Sequence, residues 1–284
     1  MTIEFGHVSV AVVGSVNLDM VANVRQFPVP GETVTDAVVH RFPGGKGGNQ
    51  ALAAKRLGAE VYMVACVGDD AAAEEALANL RSEGVNLDYC RKIEGVATGL
   101  AMIIVSADGE NQIVVAPGAN AAFNPELLDL PVTDALIAQL EVPLETVLKA
   151  AQSCRSFFCL NAAPAREVPK AVLALTDLLI VNEIEAQALG SSLRGYTGYL
   201  ATTLGGEGAI LSRNGREMAR SKPPRVKVTD TTGAGDTFTA ALTVGMVSGM
   251  APDKALDMAC VAGALATTRP GAQSSPLASE LSES

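Results

Sequence analysis

Basic residues are scarce in this chain of 284 residues, because 21 Lys and Arg stand against 31 Asp and Glu, giving a formal net charge of −10 at pH 7. The sequence has no Lys- or Arg-rich patch of the kind that binds nucleic acid. We therefore expect no nucleic-acid partner. A site for an anionic nucleotide has to consist of local backbone amides and a few cations, because an acidic surface repels anions at long range.

Cysteine is also scarce, and long apolar runs are missing. The cysteines are odd in number and lack the pair spacing of a metal site: Cys66, Cys90, Cys154, Cys159 and Cys260. Such usage is typical of reduced thiols in a cytoplasmic protein. No uncharged apolar run is long enough for a membrane span, and the N-terminus lacks a charged stretch followed by an apolar signal core. We expect a cytoplasmic protein that does not contact membranes.

Hydrophobic residues make up 48% of the sequence, which is ample for a large core. Short apolar runs alternate with helical patterns along the chain, as at residues 8–13, 60–67 and 135–140. This alternation predicts an α/β fold with a mostly parallel central sheet and helices on both faces. The chain has no internal repeat and no clear linker, so we expect one domain over residues 1–284.

A second, smaller sheet is predicted beside the central one. Asp108 and Gly109 lie between two apolar runs, residues 100–105 and 112–115, a pattern that indicates a β-hairpin. With an extended excursion earlier in the chain, this hairpin predicts a small sheet formed from about residues 20–42 and 99–116. An ordinary surface hairpin is the alternative.

Residues 230–236, with the sequence Asp-Thr-Thr-Gly-Ala-Gly-Asp, lie between a strand-like run at 225–229 and a helical pattern from Phe238 to Met246. The pattern predicts a strand, a glycine turn and a helix start. The first N–H groups of a helix lack intrahelical partners and bind anions, here beside the carboxylate of Asp236. Such an arrangement suits phosphoryl transfer to a hydroxyl, although an aspartate at a helix start is more often only a favourable first-turn residue.

Polar side chains also follow several predicted strands. Asn17 and Asp19 follow the run at 8–13, Glu141 follows the run at 135–140, and Asn182 and Glu185 follow a run at 178–181. Ligands of open α/β sheets bind at the carboxyl ends of the strands. Each group has a plainer alternative, which is an Asx turn, a solvated acid or an acidic first helical turn respectively.

A glycine-rich segment precedes the first predicted helix. Residues 44–50 read Gly-Gly-Lys-Gly-Gly-Asn-Gln. The segment is not a P-loop, because the pattern Gly-x-x-x-x-Gly-Lys-Ser/Thr is absent. Lysine and amide donors suit hydroxyl oxygens of a ligand, whereas a merely flexible loop is the alternative.

Two of these segments carry a family resemblance. Residues 230–236 resemble the C-terminal signature of the ribokinase (PfkB-type) family of carbohydrate kinases, and residues 44–51 resemble its N-terminal signature in the ribokinase form. The resemblance extends over about residues 8–275. It implies ATP-dependent phosphorylation of the 5-hydroxyl of D-ribose, with Mg²⁺ and the monovalent cation K⁺ as cofactors. It also implies that the small sheet is a lid over the sugar and the interface of a homodimer.

The resemblance further implies residue roles. Asp236 takes the proton from the attacking hydroxyl, and three backbone amides stabilise the transferring phosphoryl group: Gly233, Ala234 and Gly235. The sugar is held by Asn17, Asp19, Gly45, Lys46, Asn49, Glu141 and Asp236. The nucleotide is bound by Asn182, Thr203, Gly205, Gly208 and Gly235. Glu185 positions Mg²⁺ through water, and K⁺ lies against Asp230, Thr232 and Gly271.

Several functions remain open beside D-ribose phosphorylation. A kinase for deoxyribose, a nucleoside or a sugar phosphate is one alternative, and the extra cations that a sugar phosphate needs would be Arg25 and Arg41. A sugar-binding regulator without catalysis is another, which the intact glycine turn before Asp236 disfavours. The segment between Asn182 and Thr203 is shorter than is usual in the family, and loss of a helix there would leave part of the sheet uncovered near the ATP side.

Overall fold

The computed structural model describes residues 7–282. Within that range the strands are β1 (Ser9–Val13), β2 (Asn17–Asn23), β3 (Val38–Gly44), β4 (Glu60–Gly68), β5 (Cys90–Ile93), β6 (Gly99–Val105), β7 (Asn111–Ala116), β8 (Ala135–Ala138), β9 (Phe157–Asn161), β10 (Leu178–Asn182), β11 (Tyr199–Thr203), β12 (Ala209–Arg213) and β13 (Arg216–Ser221). The helices are α1 (Lys46–Arg56), α2 (Ala71–Ala76), α3 (Ala78–Ser82), α4 (Ala119–Ala122), α5 (Leu144–Ser153), α6 (Lys170–Leu173), α7 (Glu183–Leu189), α8 (Ala234–Val247) and α9 (Pro252–Ala266).

Nine strands form a large sheet in the order β13-β12-β11-β10-β9-β8-β1-β4-β5. Neighbouring strands from β11 to β5 run parallel. The last two, β12 and β13, add to one edge in antiparallel fashion. The mostly parallel sheet predicted from the sequence is thus confirmed.

Helices cover both faces of the large sheet and form two cores. Alternate side chains of a strand point to opposite faces. In β1, Val10 and Val12 therefore join one core with α1, α8 and α9. Ala11 and Val13 join the other core with α5, α6 and α7. Because both faces are buried, the central strands are continuous apolar runs.

The remaining four strands form the small sheet, in the order β3-β2-β6-β7. The predicted hairpin is present as β6 and β7, which pair antiparallel from Leu100 with Ala116 to Val105 with Asn111. The sequence placed the sheet correctly, although β2 begins earlier than expected, at Asn17. This early start places both Asn17 and Asp19 inside a strand of the small sheet.

The strand predicted at residues 225–229 is wrong. The chain leaves β13 at Ser221 and runs irregularly through residues 222–228. Pro223 and Pro224 have no N–H group to donate to a strand ladder. The segment instead approaches the end of α9, where the N–H groups of Thr229 and Asp230 donate to the carbonyl oxygen of Thr267, at 2.7 and 3.1 Å.

The short connection before β11 contains α7 and a 3-10 turn, Gly190–Leu193, in place of a further helix. Leu193 and Tyr196 pack against the second core together with Leu200 of β11. The hydroxyl of Tyr196 donates to the carbonyl oxygen of Thr176 at 2.9 Å. The short connection thus packs its own side chains against this edge of the large sheet. In the described part of the chain, no helix combines the length and apolar character needed to cross a membrane.

Candidate active site

The junction between the two sheets brings buried polar side chains together. Asn17 and Asp19, at the start of β2, are 5% and 9% exposed. The side chain of Asn120 orients Asn17, because its Nδ2 donates to Asn17 Oδ1 at 2.7 Å while its Oδ1 accepts from the N–H group of Val16 at 3.0 Å. With Oδ1 of Asn17 occupied, its Nδ2 group is the donor available to a ligand.

Asp19 lies in a crowded, acidic position. A Cβ atom at Gly44 would lie within 2.5 Å of all three carboxylate atoms of Asp19, so only glycine leaves room for that carboxylate. Burial, followed by the charges of Glu141 and Asp236, raises the pKa of Asp19 to about 7. The charges of Glu141 and Asp236 thus act on Asp19 at the junction of the two sheets.

Glu141 ties the start of α1 to the ends of two strands. Its Oε2 accepts from the hydroxyl of Ser15 at 2.5 Å and from the N–H group of Lys46 at 3.1 Å. Gly45, which precedes α1, has a φ of 84°. A Cβ atom there would lie 2.8 Å from the backbone nitrogen of Asn17. Glycine is therefore required at Gly45 on two grounds, the left-handed backbone and the close approach of β2.

Asp236 lies in the first turn of α8 and is 6% exposed. Both of its oxygens accept amide hydrogen bonds, Oδ2 from Asn49 and Oδ1 from Gln50, each at 2.9 Å. Burial raises the pKa of Asp236, whereas Lys46 and these two amides oppose the rise. The pKa of Lys46 is itself raised, chiefly by the charge of Asp236. The charge of Lys46 thus acts on the buried carboxylate.

The glycine turn before Asp236 is held from two sides. Gly233 has a φ of 77°, and a Cβ atom there would lie 2.0 Å from the carbonyl oxygen of Ala272, so no other residue fits. Asp230 braces the turn, because its Oδ1 accepts from the N–H group of Thr232 and its Oδ2 from that of Gly271, both at 2.9 Å. The three residues predicted to hold a monovalent cation are therefore in direct contact.

A cavity of about 500 Å³ opens beside this turn. Its walls include four residues predicted to bind the nucleotide: Thr203, Gly205, Gly208 and Gly235. Apolar side chains complete it, among them Val226, Val228, Phe238 and Ala264. Its size and apolar walls suit a small organic ligand such as a nucleotide base. The irregular segment at 222–228 therefore supplies a wall of the cavity.

Asn182 and Glu185 form a capping box at the start of α7. The backbone N–H of each residue donates to the side chain of the other, at 2.8 Å in both cases. Glu185 is buried, which raises its pKa, and the charges of Lys46 and Asp236 act on it. Glu185 thus has both the local role that the plainer alternative predicted and a place near the other charged residues.

The sequence pattern of the pfkB family carbohydrate kinases matches residues 8–279. The chain belongs to this family. It is 37% identical over 279 residues to a ribokinase of Bacillus subtilis, and the match covers 93% of this chain and 94% of that protein. A deoxyribokinase of Salmonella typhi is 33% identical over 290 residues, covering 94% of each. The structure of an Arabidopsis thaliana ribokinase complexed with ribose and ATP superposes with a TM-score of 0.87 at 28% identity, covering 98% of each chain.

As a member of the family, this carbohydrate kinase transfers phosphate to a sugar hydroxyl. The structure brings the predicted sugar-binding residues and Asp236 together at the junction of the two sheets. Asn182 lies on β10, where it pairs with Thr203 of β11 beside the cavity. Arg41 is separate from this group, since its Nε is 3.0 Å from Glu75 in an exposed ion pair.

Sequence reasoning missed three residues that hold the site of this kinase: Ser15, Gln50 and Asn120. Gln50 belongs to the glycine-rich segment at 44–50, and Ser15 lies two residues before Asn17, so the sequence offered a signal for both. Asn120 follows a Pro-Gly pair in an alanine-rich stretch, and its contact with Asn17 spans 103 positions. No local pattern reports a contact over that separation.

Proposed function

We propose that this carbohydrate kinase transfers the γ-phosphoryl group of ATP to the 5-hydroxyl of D-ribose, forming ribose 5-phosphate. The proposal rests on one buried polar atom of Asn49, whose side chain contacts Asp236. Within the described part of the chain, Oδ1 of Asn49 is buried without a hydrogen-bond partner. A buried acceptor without a partner is costly, and a sugar hydroxyl satisfies it.

The sugar is held between the small sheet and α1. Its hydroxyls meet donors and acceptors from Asn17, Asp19, Gly45, Lys46, Asn49 and Glu141. Asp236 accepts the proton of the attacking hydroxyl, which is a poor nucleophile until that proton leaves. The N–H groups of Gly233, Ala234 and Gly235 stabilise charge on the transferring group at the start of α8.

Mg²⁺ and K⁺ are the proposed cofactors, with ATP as co-substrate. Among residues 7–282, no group of three or more His, Cys, Asp or Glu residues is placed to hold a metal ion. This fits Mg²⁺, which binds with few carboxylates, several waters and substrate phosphates, so that Glu185 acts through water. K⁺ would lie against Asp230, Thr232 and Gly271. Bound there, the cations neutralise phosphate charge.

We further propose that the chain works as one domain and that the small sheet is a lid over the sugar. A lid keeps water from taking the phosphoryl group. Its apolar outer part supports a homodimer. The cysteines, all free in the described structure, support a cytoplasmic location.

A substrate panel tests the proposal. Release of ADP should be measured with pentoses, deoxyribose, hexoses, nucleosides and hexose phosphates, and D-ribose should give the highest kcat/KM. Asp19→Ala should lower kcat/KM for D-ribose by roughly 10-fold to 100-fold, because sugar hydroxyls lose a buried acceptor. The ion pair of Arg41 with Glu75 disfavours a sugar phosphate.

Two outcomes would contradict the proposal. A tenfold preference for deoxyribose, a nucleoside or a sugar phosphate would move the substrate to that class. Binding of D-ribose without ADP release would identify a sugar-binding regulator instead.

A further inference from the structure

Gln50 occupies a fully buried position one residue beyond the sugar-facing part of α1. It is 0% exposed. Both hydrogens of its Nε2 group are used, one toward Oδ1 of Asp236 at 2.9 Å and one toward Oδ1 of Asn161 at 3.0 Å. Its own Oε1 accepts from Nε2 of Gln139 at 2.6 Å. The amide therefore has one orientation, because a flip would place its oxygen against two acceptors.

We propose that Gln50 is a positioning residue for the phosphoryl transfer, which sets the orientation and the basicity of the Asp236 carboxylate without touching the sugar. The inference rests on the proposed role of Asp236 as the base. Asn49 and Gln50, at adjacent positions of α1, each donate a hydrogen bond to one oxygen of the Asp236 carboxylate. Oδ1 of Asn49 is open to a sugar hydroxyl, whereas the polar atoms of the Gln50 side chain are all used within the protein.

Further buried amides fix the side chain of Gln50 and so make its hydrogen bond to Asp236 rigid. Gln139 follows β8 and Asn161 ends β9, so the amide of Gln50 is held by two strands of the large sheet. Gln139 is 0% exposed, and Asn161 donates onward to the carbonyl oxygen of Ile180 at 3.4 Å. Oδ1 of Asp236 is thus held by Gln50, whereas Oδ2 is held by Asn49, the residue that faces the proposed sugar site.

The charge around Asp236 shows what removal of Gln50 would change. Lys46 from α1 lowers the pKa of Asp236, and Glu141 from the end of β8 raises it. Asp19 from β2 and Glu185 from α7 are the other acidic groups whose charges interact with it. Hydrogen bonds to the ionised form favour that form. Loss of the Gln50 donor therefore raises the pKa of Asp236 and moves the acidic limb of the rate profile to higher pH.

The test is Gln50→Met, which keeps the length of the side chain and removes its donors. The turnover number at saturating sugar and MgATP, measured against pH, should fall by about tenfold or more. Its acidic limb should move up by about one pH unit. Sugar affinity and binding stoichiometry, measured by calorimetry, should stay close to those of the wild type. Gln50→Glu should move the limb further in the same direction, since it places a second carboxyl beside Asp236.

Thr146→Val is the matched control, because Thr146 is equally buried on α5, on the other face of the sheet, and loses one buried hydrogen bond to the carbonyl oxygen of Phe123. This variant should keep the acidic limb of the pH profile at the wild-type position and should keep the wild-type turnover per active site. An unchanged limb and turnover in both Gln50 variants would overturn the inference, as would an equal shift in the control. Asp236→Asn distinguishes failure of this inference from failure of the proposed function, because substantial turnover in that variant would refute the role of Asp236 as the base.

Discussion

Asp19 is a buried carboxyl group with a raised pKa. In the free protein its pKa is raised from 3.8 to about 7 by burial and by the charges of Glu141 and Asp236. The folded chain therefore holds the proton more tightly than the unfolded chain between these two values. This group makes the sugar-free protein less stable as the pH rises from about 4 to about 7, and its unfavourable contribution is absent at lower pH.

We expect sugar affinity to depend on pH for the same reason. Sugar hydroxyls donate to the ionised carboxylate, so a proton must leave Asp19 before the sugar binds below pH 7. The Kd should rise by up to about tenfold for each pH unit below about 7 and should level off above it. Calorimetry in buffers of different ionisation enthalpy measures both the Kd and the released proton.

Asp19→Asn is the control for this expectation. It should bind sugar more weakly, with no proton release attributable to this site. A wild-type Kd that stays constant from about pH 5.5 to about pH 8 would show that the carboxylate of Asp19 does not contact the sugar.

The residue roles show what a sequence can and cannot predict. Asn17 and Asp19 lie two positions apart in β2, so both side chains point to the same face, and this local relation can be read from the sequence. The hydrogen bond of Gln50 to Asp236 spans 186 positions. Such a contact depends on how two distant helices pack, and the surrounding sequence contains no pattern that reports it.

Among the elements, α1 connects several parts of the site. Its first turns carry Lys46, Asn49 and Gln50, and its last residue, Arg56, contacts the loop after α9. The Nη1 group of Arg56 donates to the carbonyl oxygens of Gln273 and Ser275, at 2.8 and 3.0 Å. The loop that carries Gly271 is therefore anchored to α1.

That loop should make the kinase respond to the monovalent cation. Asp230 links the turn at Thr232 to Gly271 through both carboxylate oxygens. We expect turnover in the presence of Mg²⁺ to increase several-fold when K⁺ replaces Na⁺ or a bulky organic cation at equal ionic strength. Asp230→Ala should abolish most of this response, as measured by ADP release.

Asp257→Ala is suitable as the comparison, because Asp257 is an exposed acid on α9 whose side chain faces Lys254. It should keep the response to K⁺. Equal rates of the wild-type enzyme in K⁺ and Na⁺ would show that Asp230 does not hold an activating cation.

The prediction of a strand failed at one segment, where the residues alternate without forming a strand. Residues 225–229 alternate like a strand, yet no neighbouring strand is available to them and two prolines precede them. Propensity describes one chain segment, whereas a strand also requires a partner. The parallel strands were predicted well because burial on both faces leaves continuous apolar runs.

On the scale of the whole molecule, the small sheet has an apolar surface on the face that carries Asp19. The registers place Val21 beside Ile103, and Ile103 beside Ile113, on the face that carries Asp19. Ile113 is 54% exposed. An exposed apolar surface of this kind is typical of a protein interface.

We expect Ile113→Asp to convert a homodimer into a monomer, because a carboxylate at the centre of an apolar interface loses its hydration. Size-exclusion chromatography with light scattering measures the mass. Val114→Asp is the matched control, since Val114 is 62% exposed and points to the opposite face of β7. A wild-type monomer, or equal masses for both variants, would contradict the proposed dimer.

The small sheet leaves the large sheet through a short junction. Only residues 14–16 join β1 and β2, and the N–H group of Gly48 donates to the carbonyl oxygen of Ser15 at 2.9 Å. If the proposed lid rotated about Val16, Asn23 would move roughly twice as far as Asp19, because a strand advances by a constant rise of about 3.3 Å per residue. In such a rotation the far end of the sheet would open widely, whereas Asn17 and Asp19, next to the junction, would be displaced least.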